Sequence, residues 1–335
     1  MGSSGIRAGA SDSQVVTRAE IDYLGRLSSA RDREETIAQT ISALKELPKE
    51  GGFSPLCARV GGGFSAWRLA LQQDAGQLVS ALARIEAASG VAVLVVPQGS
   101  EGAYGYVGAR QLLGSRLTTS HVLDIGGGSL QISGERTSFN DQLGQKIWQR
   151  ELCRAIRTIR DTGQPPCTLP PMTGAELTAA RALLANRLQS VRTKLGGSVS
   201  MTAISRPVTR GVVPAVARLL NQFAPDTLQR PDLSAAIEAL AGLTLAETAT
   251  RLAIPLKYAA YLLSDMLLVE GLMQAAGTEE LRTAEVDMTN LPGLLRDDRA
   301  FRWAASYGCY LERLRRFGLD AFASDPETCP GASNP

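Results

Sequence analysis

Val122-Leu123-Asp124-Ile125-Gly126-Gly127-Gly128-Ser129-Leu130-Gln131-Ile132-Ser133 reads as strand, tight turn and strand. Val122 to Ile125 are apolar apart from Asp124, and Leu130 and Ile132 alternate with polar neighbours as a half-buried strand requires. Three successive glycines let the backbone approach whatever sits in the turn. Their amides can form a nest for a phosphate. Asp124, at the end of the first strand, is placed to hold a divalent cation directly or through water. The same pattern also serves a plain glycine-rich hairpin, since short glycine motifs recur without function.

The rest of the composition narrows the setting. A chain of 335 residues has room for two domains, and 44% apolar residues make an ordinary globular composition. A net charge of +2 argues against DNA or an anionic membrane as partner. The apolar runs fall short of a transmembrane span, and no leader is evident. Cys57, Cys153, Cys167, Cys309 and Cys329 form no CxxC pair, which points to free thiols in a reducing cytoplasm and to no thiol nucleophile.

Outward from the turn, the pattern is α/β. Met1 to Arg7 has loop chemistry and reads as a tail. Helical spacing runs over 30–47 and 77–88, with strands expected at 56–60 and 91–96 and a helix region opening at Gly61. Gln98 to Ala103 reads as a loop running into a helix that ends near Leu113. A third strand is expected at 142–148, and Pro165, Pro166, Pro170 and Pro171 mark a surface connection. Thr173 with Glu176 predicts a capping box. Further on, a strand at 198–204, a helix at 212–220, a helix capped by Asp232 or Ser234 and a long apolar helix over 258–275 are expected. A last strand at 283–288 and a basic amphipathic helix at 299–317 complete the pattern. His121, the single histidine, reads as structural.

Taken together, these stretches resemble the exopolyphosphatase and guanosine pentaphosphate phosphohydrolase (Ppx/GppA) family. Asp124-Ile125-Gly126-Gly127-Gly128-Ser129 is similar to its second phosphate loop. Gly25-Arg26-Leu27-Ser28, Ser65-Ala66-Trp67-Arg68, Gln98-Gly99-Ser100-Glu101-Gly102-Ala103 with Tyr106-Val107-Gly108, and Leu143-Gly144 follow in the family's order. Ala241-Gly242-Leu243-Thr244 and Asp287 with Gly293-Leu294-Leu295 are similar to its C-terminal features. Gly2-Ser3-Ser4-Gly5-Ile6-Arg7 looks like a worn first phosphate loop whose preceding strand is truncated.

The resemblance implies two actin-like α/β domains flanking a cleft, at 1–119 and 120–322, with a disordered tail at 323–335. It implies hydrolysis of the terminal phosphoanhydride of inorganic polyphosphate or of guanosine pentaphosphate, with Mg²⁺ on Asp124. Gly126, Gly127, Gly128, Ser129, Arg68, Ser3 and Ser4 would bind phosphate, and Glu101 would act on the water. A homodimer is admitted as the assembly. The departures lie in the carboxylates. Gln131 stands where the family has Glu, Gly102 stands where its base-like Glu precedes the Ala, and that loop is one residue shorter. Met201-Thr202-Ala203-Ile204-Ser205 replaces a later glycine loop, which speaks against an ATP-using kinase. The expectation is weak hydrolysis, and the alternative is a non-catalytic polyphosphate-binding or protein-binding member.

Overall fold

The computed structural model describes residues 1–11, 15–27, 29, 31–158, 167–223, 226–286 and 290–329. They fall into two compact units, Met1–Gln111 with Asp287–Pro335, and Leu112–Val286 between them. The sequence reading divided the chain at 119 and gave 120–322 to the second domain. The structure instead returns the last segment to unit 1.

Unit 1 holds two short sheets. In the first, β1 (Gly5–Ala8) pairs antiparallel with β2 (Thr17–Glu20). The expected tail at the start is thus partly strand, because Ile6 has an apolar place to go and is 2% exposed. In the second, β3 (Val60–Gly63) pairs parallel with β4 (Ala92–Val95). The reading placed a strand at 56–60 and began a helix at Gly61. The glycines themselves form β3, and the helix Ser65–Gln73 follows it. Gly63 lies where a Cβ would meet Trp67 at 2.9 Å, so the bare glycine lets that indole close over the strand.

The returning segment seals the free edge of β4. Tyr307 Oη donates to the Val93 carbonyl at 2.9 Å and accepts from the Val93 amide at 3.3 Å. Tyr310 Oη accepts from the Val95 amide at 2.8 Å and donates to the Val95 carbonyl at 3.3 Å. Two hydroxyls thus satisfy four backbone groups that would otherwise be buried without partners. The helix predicted at 299–317 is two helices, Asp298–Ala305 and Tyr307–Phe317.

Unit 2 is built on one six-stranded sheet. Its strands are β5 (His121–Ile125), β6 (Leu130–Gly134), β7 (Ser138–Asp141), β8 (Met201–Ala203), β9 (Thr227–Gln229) and β10 (Glu280–Thr283), in the order β7-β6-β5-β8-β10-β9. β5, β6 and β7 form an antiparallel meander, and β8 is parallel to both β5 and β10. Strand alternation puts Leu123, Ile125, Leu130, Ile132, Phe139, Met201 and Ala203 on one face. All seven join one core cluster with Trp148, Leu152, Leu177, Met266 and Leu267 from the helices. The opposite face carries Asp124, Gln131, Asn140 and Thr202.

Several boundaries differ from the reading. The third strand is Ser138–Asp141, and 145–156 is helix, with Gly144 in extended backbone as its N-cap. Gln98–Leu113 is helical from its first residue, so Glu101 stands in the first turn of a helix rather than in a loop. The Thr173–Glu176 capping box forms as predicted, whereas the helix Arg230–Ala241 starts without a side-chain cap. The last strand stops at Thr283, and Met288, Asp287, Ser28, Pro165 and Pro166 lie outside the described residues. Among the described residues no single helix is long and apolar enough to cross a membrane.

The cysteine reading is corrected. Cys153 is bonded to Cys167 in unit 2 and Cys309 to Cys329 in unit 1, leaving Cys57 as an exposed free thiol. That removes the cysteine argument for a reducing cytoplasm. The second bridge also orders much of the expected tail, where Pro326–Thr328 forms a turn of 3₁₀ helix. Bridges closing 14 and 20 residues are each worth about 2–4 kcal/mol. Dithiothreitol is therefore expected to lower the thermal midpoint. A midpoint indifferent to reductant, with five titratable thiols in the native protein, would show that the bridges do not form.

Candidate functional site

The glycine turn joins β5 to β6, closed by the Gly126 amide donating to the Ser129 carbonyl at 2.8 Å. Behind it stands the N-terminus of the helix Gln145–Ile156. The Gln145 amide donates to the Gly126 carbonyl at 2.9 Å, and the Lys146 amide to the Gly127 carbonyl at 2.8 Å. The helix thus uses two of its orphan N-terminal donors on the turn. In a trans peptide the N–H points opposite to the C=O. The amides of Gly127 and Gly128 therefore point away from Gln145 and Lys146. Among the described residues those two amides have no hydrogen-bond partner.

Gly144 lets helix and turn meet. A Cβ there would lie 2.4 Å from the Gly126 oxygen, 2.4 Å from the Ser129 nitrogen and 2.5 Å from the Gly128 nitrogen. All three are backbone atoms and cannot swing aside. The sequence offered Leu143-Gly144 only as a family resemblance. Its packing role required the structure.

Asp124 lies directly opposite Gln131 across the antiparallel pair, and Gln131 opposite Asn140. Such partners have Cβ atoms about 4.5–5.5 Å apart. The residue standing in for the family's Glu is therefore the cross-strand neighbour of the expected metal ligand. The local donor set has one carboxylate and neutral amides. Among the described residues no three His, Cys, Asp or Glu side chains gather as a metal site. One carboxylate suits Mg²⁺, which keeps much of its water and takes phosphate oxygens as further ligands.

In unit 1 the expected residues form a second group. Ser3 Oγ donates to Ser65 Oγ at 3.2 Å, and Ser65 opens the helix that carries Arg68. Arg68 is 1% exposed. Its Nη2 meets Glu101 Oε2 at 2.7 Å and its Nη1 donates to the Val96 carbonyl at 3.0 Å. Asn290 Nδ2 donates to Glu101 Oε1 at 3.5 Å. Arg68 and Glu101, expected as phosphate clamp and water activator, are thus engaged with each other. Ser4 is exposed, and its backbone carbonyl accepts from Ile21. Asn290, which no motif pointed to, reaches Glu101 across 189 residues of sequence.

His121 is structural, as read. Nδ1 pairs with Ser120 Oγ and Nε2 with Thr137 Oγ1, both at 2.9 Å. Burial holds its imidazole below the usual histidine range.

No family model matches the chain, and no curated protein matches it. Solved structures do. The type II variant of the Aquifex aeolicus Ppx/GppA phosphatase has a TM-score of 0.62 at 16% identity, covering 88% of this chain and 96% of that one. Another structure of the Aquifex aeolicus family member gives 0.62 at 18%, covering 88% and 94%. An exopolyphosphatase from Cytophaga hutchinsonii gives 0.59 at 14%, again covering 88% and 94%. At these identities the likeness is one of fold, and this chain has the actin-like α/β fold of the Ppx/GppA structures.

Proposed function

We propose that the chain binds inorganic polyphosphate or a guanosine polyphosphate at Gly126–Ser129 and hydrolyses its terminal phosphoanhydride slowly. The observation that carries this reading is the pair of outward, unpartnered Gly127 and Gly128 amides, backed by the helix N-terminus and set beside Asp124. Backbone amides fixed in advance donate to phosphate oxygens without reorganising. The Ser129 hydroxyl lies at the same turn. Mg²⁺, when bound, would be held by Asp124 and would neutralise phosphate charge. The solved structures of similar fold include a Ppx/GppA phosphatase and an exopolyphosphatase, which supports the substrate class.

Slow turnover follows from the carboxylates. Water attacking phosphorus needs a group to orient it and take its proton. Gln131 is a neutral amide and takes no proton. The oxygens of Glu101 are engaged by Arg68 and Asn290. Loss of a positioned base typically lowers the rate about 10²–10⁴-fold.

The test is phosphate release from long-chain polyphosphate and from guanosine pentaphosphate, alongside titration calorimetry with and without Mg²⁺. The wild type is expected to bind, with release well below about 1 s⁻¹. Asp124→Ala should lose the Mg²⁺-dependent part of binding, and Gln131→Glu should raise release. Wild-type turnover within the ordinary enzyme range of about 1–10³ s⁻¹ would overturn slow hydrolysis. Binding that ignores both Mg²⁺ and Asp124→Ala would overturn the site.

A further inference from the structure

The helix behind the turn is itself tied down by a group that phosphate binding does not use. Asp265 lies on Leu256–Ala276, a helix of mostly buried Leu, Met, Val and Ala. Its carboxyl is buried, with the residue 6% exposed. Oδ2 accepts from Gln145 Nε2, and Oδ1 has no hydrogen-bond partner. A carboxyl with an unused oxygen inside an apolar helix face destabilises the fold unless something offsets it. Burial raises its pKa above the usual carboxylate range, and the hydrogen bond from Gln145 works against that rise.

Gln145 is where this contact gains meaning. It is the first residue of its helix, and its backbone amide holds the Gly126 carbonyl while its side chain holds Asp265. One residue thus links the core helix to the turn. Helix ends fray, and the first turn is the part least fixed by its own hydrogen bonds. An anchor there sets where the Gln145 and Lys146 amides stand, and through them which way the Gly127 and Gly128 amides face.

We propose that Asp265 is a positioning residue for the phosphate-binding turn, acting through the Gln145 side chain to fix the helix start against Gly126 and Gly127. The proposal rests on the reading of that turn as a phosphate site. It also makes a claim about the turn itself, which can be measured without ligand.

The experiment compares Asp265→Asn, Asp265→Leu and Gln145→Leu in the full chain. Asn keeps the size and the acceptor oxygen, whereas Leu keeps the bulk and removes the acceptor. Amide hydrogen exchange of the segment 125–130 is expected to be about tenfold faster in both Leu variants and close to wild type in Asp265→Asn. Affinity for long-chain polyphosphate should fall about tenfold in the same two variants and recover in Asp265→Asn. A double Leu variant should lose little more than either alone. Unchanged exchange at 125–130 in folded Leu variants would overturn the positioning role. So would an Asn variant as impaired as Leu. Should Asp265→Leu fail to fold, Gln145→Leu decides, since Gln145 is only half-buried. A wild type that ignores polyphosphate but shows the exchange pattern would remove the phosphate reading and leave the positioning intact.

Discussion

Alanine at position 144 is expected to abolish polyphosphate binding and to destabilise unit 2 by about 1–3 kcal/mol, the usual range for overpacking. The added methyl would sit 2.4–2.5 Å from three backbone atoms of the turn. Real Cβ atoms do not approach so closely, so either the turn or the helix start must retreat. Either movement breaks the bonds from Gln145 to Gly126 and from Lys146 to Gly127. With those bonds gone, the Gly127 and Gly128 amides lose the two contacts that fix their direction, and the turn keeps only its own Gly126–Ser129 bond. Chemical denaturation and calorimetry together check this. A Gly144→Ala protein with wild-type affinity would mean that the turn does not bind phosphate in the conformation seen here.

Arg68→Met is expected to cost unit 1 about 3–5 kcal/mol, as breaking a buried ion pair from one side does. The side chains of Arg68 and Glu101 are 1% and 9% exposed. Removing the guanidinium takes the 2.7 Å ion-pair partner from the buried Glu101 carboxylate, and the Val96 carbonyl loses a donor as well. Replacing both partners removes the stranded charge. The double variant Arg68→Met/Glu101→Leu should therefore recover most of the loss. Urea unfolding of the two single variants and the double variant measures the coupling. Strictly additive losses would show that the pair does not act as a unit.

The sequence made the glycine turn and its flanking strands legible because period-2 alternation and three glycines are local signals. The Asp124 and Gln131 pairing was implicit in the same stretch, since a short turn fixes the register of its hairpin. The Thr173–Glu176 cap was legible for the same reason, being complete within four residues. The third strand was misplaced because Leu143 and Ile147 supply apolar residues to either reading, and only the place of Gly144 against the turn decides for a helix. The misread glycines of β3 show the opposite limit. Local propensity disfavours strand there, and tertiary packing of Trp67 overrides it. The disulfides, the Asn290 contact and the tyrosines on β4 depend on residues far apart in sequence, and spacing carries no information about such partners. The engagement of Arg68 with Glu101 was hidden for that reason too. Each residue type suggested chemistry by itself, and their proximity changes what either can do.

The return of Tyr307 and Tyr310 to β4 also orders events during synthesis. A ribosome synthesises residues 112–286 before either tyrosine, so the strands of unit 2 are made while β4 still lacks the hydroxyls that cover its edge. Contacts spanning 214 and 215 residues form late, after the entropy of closing so long a stretch of chain has been overcome. The nascent chain therefore carries an open strand edge through most of its translation, and that edge is where a ribosome-associated chaperone would be needed.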